Sequence, residues 1–161
     1  MILLGHLRGM SNGLRKLSEE QWDWTYAPPA PTPRILAIHA LQWLQCDRQH
    51  IRNPDVSTHK LVPEAPATPD GICDAMDREA DEWEALLQGL SPDELNRPGL
   101  QFGHPEGNYN VRGFVVHMIQ NVIYKHGEFA TIFFALGLDG TEPYDAPFPN
   151  RIYRQHCGIT V

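Results

Sequence analysis

Residues 111–136 read VRGFVVHMIQNVIYKHGEFATIFFAL, and this stretch decides the fold class of the chain. Its apolar side chains recur at intervals of three and four residues, which is the spacing of one face of an α-helix. Gly137 follows directly, and glycine is common where a helix ends. We therefore predict a helix from about Val111 to Leu136. The residues expected on its core side are Val115, Met118, Val122, Phe129, Ile132 and Phe133.

Three further helices are predicted before this one, at about Ile2–Leu17, Pro33–Ile51 and Pro69–Gly89. Ser18 can cap the turn after the first, and Thr32 can cap the second. The residues expected to supply apolar contacts in the second are Ile35, Ile38, Leu41 and Leu44. The acidic residues of the third, expected to be plain solvated surface, are Asp74, Asp77, Glu79, Asp81, Glu82 and Glu84.

The expected architecture is all-α, a single domain over residues 1–161 that forms a four-helix bundle with long crossover connections. The proline-rich segment 27–33 cannot be helical and should cross one end of the bundle. Segment 53–70 should be a long surface loop, and segment 140–161, with its prolines, an extended tail.

A weak internal repeat accompanies this pattern. The string Leu-Ser at residues 17–18 returns at residues 90–91, and the Arg34-to-His39 spacing returns from Arg112 to His117. Two similar helical hairpins in a pseudo-twofold arrangement would explain the repeat. Chance similarity between short helical strings is the alternative.

The composition describes an acidic globular protein of 161 residues with a formal net charge of −7. It has no cluster of basic side chains, so nucleic acid is not an expected partner. No run approaches the roughly 18 apolar residues of a membrane span, so a membrane is not expected either. The three cysteines form no Cys-x-x-Cys pair, and the N-terminus has no signal-peptide pattern. Both observations favour a reducing cytoplasm over disulfides or a thiolate zinc site.

Three of the eight histidines, His39, His117 and His126, lie inside apolar helices. A buried imidazole needs a hydrogen bond, an ion or a metal as partner. The remaining histidines have no companions at useful spacing and are expected to be surface or capping residues. They are His6, His50, His59, His104 and His156.

Helical geometry separates two of these three histidines. Nine residues at 100° each place His117 and His126 on opposite faces, about 13 Å apart along the axis, so they cannot bind one ion in a regular helix. His126 is expected in core packing. His117, Asn121 and Lys125 instead form a polar stripe, with Tyr124 and Glu128 beside it.

Two segments resemble the DinB-like proteins. One runs from His117 through His126-Gly127-Glu128 to Leu136-Gly137-Leu138, and the other reads Leu17-Ser-Glu-Glu-Gln-Trp22-Asp-Trp24, followed by prolines and the helix that bears His39. The resemblance covers the chain from the first helix to about Gly140. It implies a four-helix bundle, a divalent metal such as zinc or nickel, and often a homodimer. Members of the family include thiol-dependent transferases and isomerases.

The resemblance also implies three metal ligands, which fall on His39, Asn121 and Lys125 of this sequence. Asparagine is a poor zinc ligand, and a protonated lysine repels a metal ion. We therefore expect a degenerate site in which His39 is the one metal ligand in place, and His117 lines the remodelled pocket. His126 and Glu128 would support the ligands without binding the ion themselves. A π-bulge in the helix could instead turn His126 into the site, where it would replace a missing ligand.

Three functions remain open. In the first, the protein is a non-catalytic, metal-free member that binds a small anionic or thiol ligand, with Lys125 carrying the positive charge of the missing ion, or that acts as a scaffold in a homodimer. In the second, His39 holds a divalent ion, and the protein is a metal-dependent enzyme like the thiol-dependent transferases and hydrolases. In the third, the polar groups are purely structural and are satisfied inside the bundle. For Lys125 alone, the simplest expectation is that its ammonium group extends to solvent.

Overall fold

The computed structural model describes residues 2–53, 65–98 and 110–138. In these ranges it contains six helices and no strand beyond one isolated bridge between Pro98 and Asn110. The helices are α1 Ile2–Leu14, α2 Glu19–Trp22, α3 Pro33–Arg52, α4 Pro69–Gly89, α5 Pro92–Leu95 and α6 Val111–Ala135. The predicted all-α class is therefore confirmed. The expected tail at 140–161 and most of the expected loop at 53–70 lie outside the described residues.

Each helix after α1 begins at a side-chain cap. The caps are Ser18, Thr32, Thr68, Ser91 and Asn110, each of which accepts a backbone N–H three residues later. Ser18 and Ser91 form complete capping boxes, so the repeated Leu-Ser string adopts the same local structure twice. Helix α1 ends at Leu14, three residues before the predicted end at Leu17.

The four long helices pack around one core. Helix α1 contacts α4 and α6, and α3 contacts the same two helices. Large side chains with at most 2% exposure fill the centre, among them Leu7, Trp22, Leu41, Trp83, Phe114 and Phe129. No helix in the described ranges is long and apolar enough to cross a membrane. The packing sets α3 beside α6, and His50 of α3 and His117 of α6 lie at this contact.

The acidic side of α4 differs from plain surface at one residue. Glu79 is only 3% exposed and accepts hydrogen bonds from the Arg48 guanidinium of α3. The expectation of solvated surface is wrong for Glu79, because α3 covers it. The other acidic residues remain accessible and pair with arginines of α1, of α3 and of the turn after α1, as Asp81 and Glu84 do with Arg8.

The end of α6 requires a glycine. Gly137 has a backbone φ of +71°, a conformation that residues with a Cβ atom rarely adopt. Its N–H donates to the Phe134 carbonyl, and the N–H of Leu138 donates to that of Phe133. These two bonds define a Schellman motif, which satisfies carbonyls that the helix leaves open.

Replacing Gly137 by alanine is expected to lower the free energy of unfolding by about 1 kcal/mol, because the positive φ strains an L side chain. Gly127 is the matched control, since it lies inside α6 and an added Cβ there meets nothing within 4 Å. Gly127→Ala should stabilise the protein by up to about 1 kcal/mol. Urea unfolding of both variants measures the changes, and equal effects at the two sites would contradict this account.

Candidate functional site

Trp43 connects the histidines of α3 and α6. Its indole N–H donates to Nε2 of His39 over 2.9 Å, and its ring meets that of His117 edge-on, with centroids 5.3 Å apart. His39 and Trp43 are one turn apart on α3, so both side chains extend along one face of the helix. His39 is exposed, in contrast to the buried environment expected from its apolar helix.

Asp47 orients His117 from the next turn of α3. Nδ1 of His117 donates to Oδ2 of Asp47 over 2.7 Å, and the Asp47 side chain is 3% exposed. The hydrogen bond to this carboxylate raises the pKa of His117 above its usual 6.5. The positively charged form of His117 is thereby stabilised.

Lys125 is buried, which excludes the expectation that it only extends to solvent. Its side chain is 10% exposed, and its ammonium donates to Oε2 of Glu128 over 2.9 Å and lies over the Tyr124 ring. Burial lowers the pKa of His39, and the charge of Lys125 lowers it further, while Glu128 opposes the shift. The Lys125–Glu128 ion pair is therefore close enough to His39 to affect its pKa.

Asn121 lies one turn after His117 and one turn before Lys125. Its Oδ1 is buried and has no hydrogen-bond partner among the described residues. A buried amide oxygen in this state is an acceptor for an external donor. We call His39, Trp43, His117, Asn121 and Lys125 the polar α3–α6 site.

His126 lies apart from this site, on the side of α6 that packs against α1. It is 1% exposed, and its Nδ1 is 2.6 Å from Nδ1 of His6. Helix α6 is α-helical throughout residues 111–135, without the bulge that would turn His126 toward His39. The expectation of a surface or capping role for His6 is wrong, because its ring pairs with His126 in the α1–α6 contact.

A second polar group lies further along α3, at Cys46, Asp47 and His50. One ligand atom from each lies within 4.8 Å of the others, and all three residues are buried. The His50 ring stacks on Phe114, so its predicted surface or capping role is also wrong. The sequence did contain a signal for this group, since Cys46 and His50 are four residues apart on one helix.

These features define an all-helical bundle with a polar site between two of its long helices. The family model of the DinB superfamily matches residues 4–129, which include every helix up to most of α6. The chain belongs to this superfamily. A search of curated proteins found no match.

The divalent ion implied by the resemblance does not fit the residues at the three ligand positions. Nε2 of His39 already accepts the Trp43 indole N–H, so its lone pair is engaged. Asn121 offers only an amide, and Lys125 places an ammonium group where a ligand is needed. A cation held at 10% exposure by Glu128 would repel a second cation at this position.

Proposed function

We propose that the protein is a member of the DinB superfamily that binds a small anionic ligand at the polar α3–α6 site without a metal ion. The observation that carries this proposal is the buried ammonium of Lys125 at a metal-ligand position. A fixed positive charge in a partly desolvated site attracts an anion more strongly than the same charge in water. Lys125 thus replaces the charge of the ion rather than one of its ligands.

The donors of the site suit a carboxylate or phosphate group. Because Nε2 of His39 accepts a hydrogen bond from the Trp43 indole N–H, neutral His39 carries its own proton on Nδ1 and donates from there. Lys125 offers charge-assisted hydrogen bonds, and Oδ1 of Asn121 is available to a donor elsewhere on the ligand. Glu128 is more exposed than Lys125, at 25% against 10%, so it can turn outward when an anion takes its place.

Ligand binding is tested by thermal-shift screening against small carboxylates, inorganic phosphate, organic phosphates and small thiols. An anion that raises the melting temperature of the parent should lose its effect in Lys125→Ala. It should act more strongly on Glu128→Gln, which removes the competing carboxylate. Lys16→Ala is the control for a lost positive charge on the exposed surface and should respond like the parent. Unchanged responses in Lys125→Ala, or no response of the parent to any anion, would overturn the proposal.

The metal-free state is tested by restoring the two missing ligands. The double variant Asn121→His with Lys125→His should bind one more equivalent of zinc or nickel than the parent, with His39 as its third ligand. The hydrogen bond from Trp43 to His39 must break for this ion to bind. Its loss costs on the order of 1 kcal/mol, which is small compared with the free energy of binding a metal ion to three histidines. Calorimetric titration of protein purified without a nickel column measures the stoichiometry.

The control is His39→Ala in both backgrounds. In the double variant this change should abolish the additional equivalent. In the parent it should leave the bound metal unchanged. An ion that the parent holds and that His39→Ala releases would instead support a metal-dependent enzyme resembling the thiol-dependent transferases.

A further inference from the structure

We propose that Cys46, Asp47 and His50 form a divalent-metal site further along α3 than the ligand positions of the polar α3–α6 site, to which it is joined by the hydrogen bond between Asp47 and His117. Their side chains bring a thiol sulfur, a carboxylate oxygen and an imidazole nitrogen within 4.8 Å of one another. All three residues are buried, at 9%, 2% and 3% exposure respectively. In the described ranges, no other group of three such ligands gathers this closely.

The spacing between two of the ligands already fits a tetrahedral ion. Bonds of about 2.3 Å to sulfur and 2.0 Å to nitrogen, at a tetrahedral angle, separate the two ligand atoms by about 3.5 Å. Sγ of Cys46 and Nδ1 of His50 are 3.6 Å apart, one turn from each other on α3. Asp47 follows Cys46 directly, and one of its carboxylate oxygens lies within 4.8 Å of a ligand atom of Cys46 and of one of His50, as the third ligand. Water fills the fourth position.

Two neighbours on α6 hold the proposed ligands in place. The Phe114 ring stacks on His50 with an interplanar angle of 8° and a centroid distance of 5.5 Å. Oδ2 of Asp47 accepts the Nδ1–H of His117, which leaves Oδ1 for an ion. Hydrogen bonding to a ligating carboxylate is the usual way in which a protein orients it. His117 is therefore a positioning residue for this site.

The charges of the ligands balance a doubly charged ion. On binding, the Cys46 thiol loses its proton to solvent and its sulfur bonds to the metal, while neutral His50 donates a nitrogen lone pair. The thiolate and the Asp47 carboxylate together neutralise the ion, so the ion and its three ligands carry no net charge. Mixed thiolate, imidazole and carboxylate ligands suit zinc and its spectroscopic substitute cobalt(II).

The proposed site does not overlap the ligand positions of the superfamily and does not rest on the proposed function. Cys46 follows His39 by seven residues, about 10 Å along the helix axis, so the two cannot ligate one ion. Access is from the side of His117, whose side chain is 34% exposed and covers the buried Asp47.

Cobalt(II) titration of the full chain tests the site, because a thiolate bound to cobalt gives a charge-transfer band in the near ultraviolet. We expect one equivalent with this band in the parent and no band in Cys46→Ser. His50→Ala and Asp47→Asn should weaken binding at least tenfold. Cys73→Ser is the matched control, since Cys73 is also buried and free, and it should retain the band. His39→Ala and Cys157→Ser should retain it too.

A second measurement covers the case in which Cys46→Ser does not fold. In the parent protein, zinc should slow alkylation of Cys46 at least tenfold and leave that of Cys73 unchanged, as read by peptide mass spectrometry. Absence of the cobalt band in the parent, its survival in a folded Cys46→Ser variant, or equal alkylation of Cys46 with and without zinc would each overturn the proposal.

Discussion

Replacing Arg48 by methionine is expected to lower the free energy of unfolding by about 3 kcal/mol. Arg48 on α3 binds Glu79 on α4, and the Glu79 side chain is only 4% exposed. Loss of the guanidinium leaves this carboxylate buried without its counter-charge, which costs far more than the loss of an exposed ion pair. Urea unfolding followed by circular dichroism at pH 7 measures the change.

Two comparisons isolate the burial of the Glu79 charge. Arg8→Ala removes a guanidinium bound to Asp81 and Glu84, whose side chains are 71% and 44% exposed, and should cost less than about 1 kcal/mol. Adding Glu79→Leu to Arg48→Met should recover most of the lost stability, because no buried charge then remains. An Arg48→Met variant that is as stable as Arg8→Ala would contradict this account.

The helices could be predicted from the sequence because their signals are local. Thr32 followed by Pro33 fixes the start of α3, and Gly137 fixes the end of α6, through caps that involve only neighbouring residues. The end of α1 was placed three residues too late, since Leu17 is buried although it lies outside the helix. The apolar pattern thus extends to Leu17 because this residue is buried, although the helical backbone ends at Leu14.

The buried face of α3 could be predicted only in part, and the residues that were missed include a candidate site. Ile35 was expected in the core but is 57% exposed, whereas Leu36 is 2% exposed. Leu41 and Leu44 are buried as expected and Ile38 packs against the core, so the expected face is wrong only at Ile35. The buried face also includes three polar residues that were not expected there, Cys46, Asp47 and His50, the last of which was predicted as a surface or capping residue. Which side of an amphipathic helix a polar residue occupies depends on the partner helices, here α4 and α6, and no local pattern contains that information.

The helix face on which Lys125 lies could be predicted from the sequence, but its burial could not. Its spacing from His117 and Asn121 correctly indicated a shared polar stripe, since i and i+4 residues lie on one helix face. Spacing did not indicate that the ammonium is buried and bound to Glu128. Lysine has a long apolar stem, so its exposure depends on what surrounds the end of the chain.

Lowering the pH from about 6.5 to about 4 is expected to reduce the free energy of unfolding by roughly 3 kcal/mol through His126 alone. Burial lowers the pKa of His126 from 6.5 to about 4, and the neighbouring His6 adds to the effect. Between these two pH values the unfolded chain binds a proton at this residue that the folded protein does not. Unfolding therefore takes up a proton, and stability falls as the pH falls.

The pKa shifts of His6 and His117 also affect how the stability of the protein depends on pH. The pKa of His6 is also lowered by burial, so His6 destabilises the folded protein over the same acidic window. The pKa of His117 is raised by Asp47, so its stabilising contribution is complete below pH 6.5 and is lost only as the pH rises through the raised value. The effect of His117 therefore falls above the window in which His126 acts.

His126→Asn isolates the contribution of His126, because asparagine can still hydrogen-bond to His6 but does not titrate. Urea unfolding of parent and variant at pH 7.5 and pH 4.5 gives two stability losses, in which the carboxylates contribute equally. The parent should lose about 2–3 kcal/mol more than the variant. Equal losses would show that the α1–α6 histidine pair accepts protons in the folded state at ordinary cost, contrary to the burial that separates His126 from solvent.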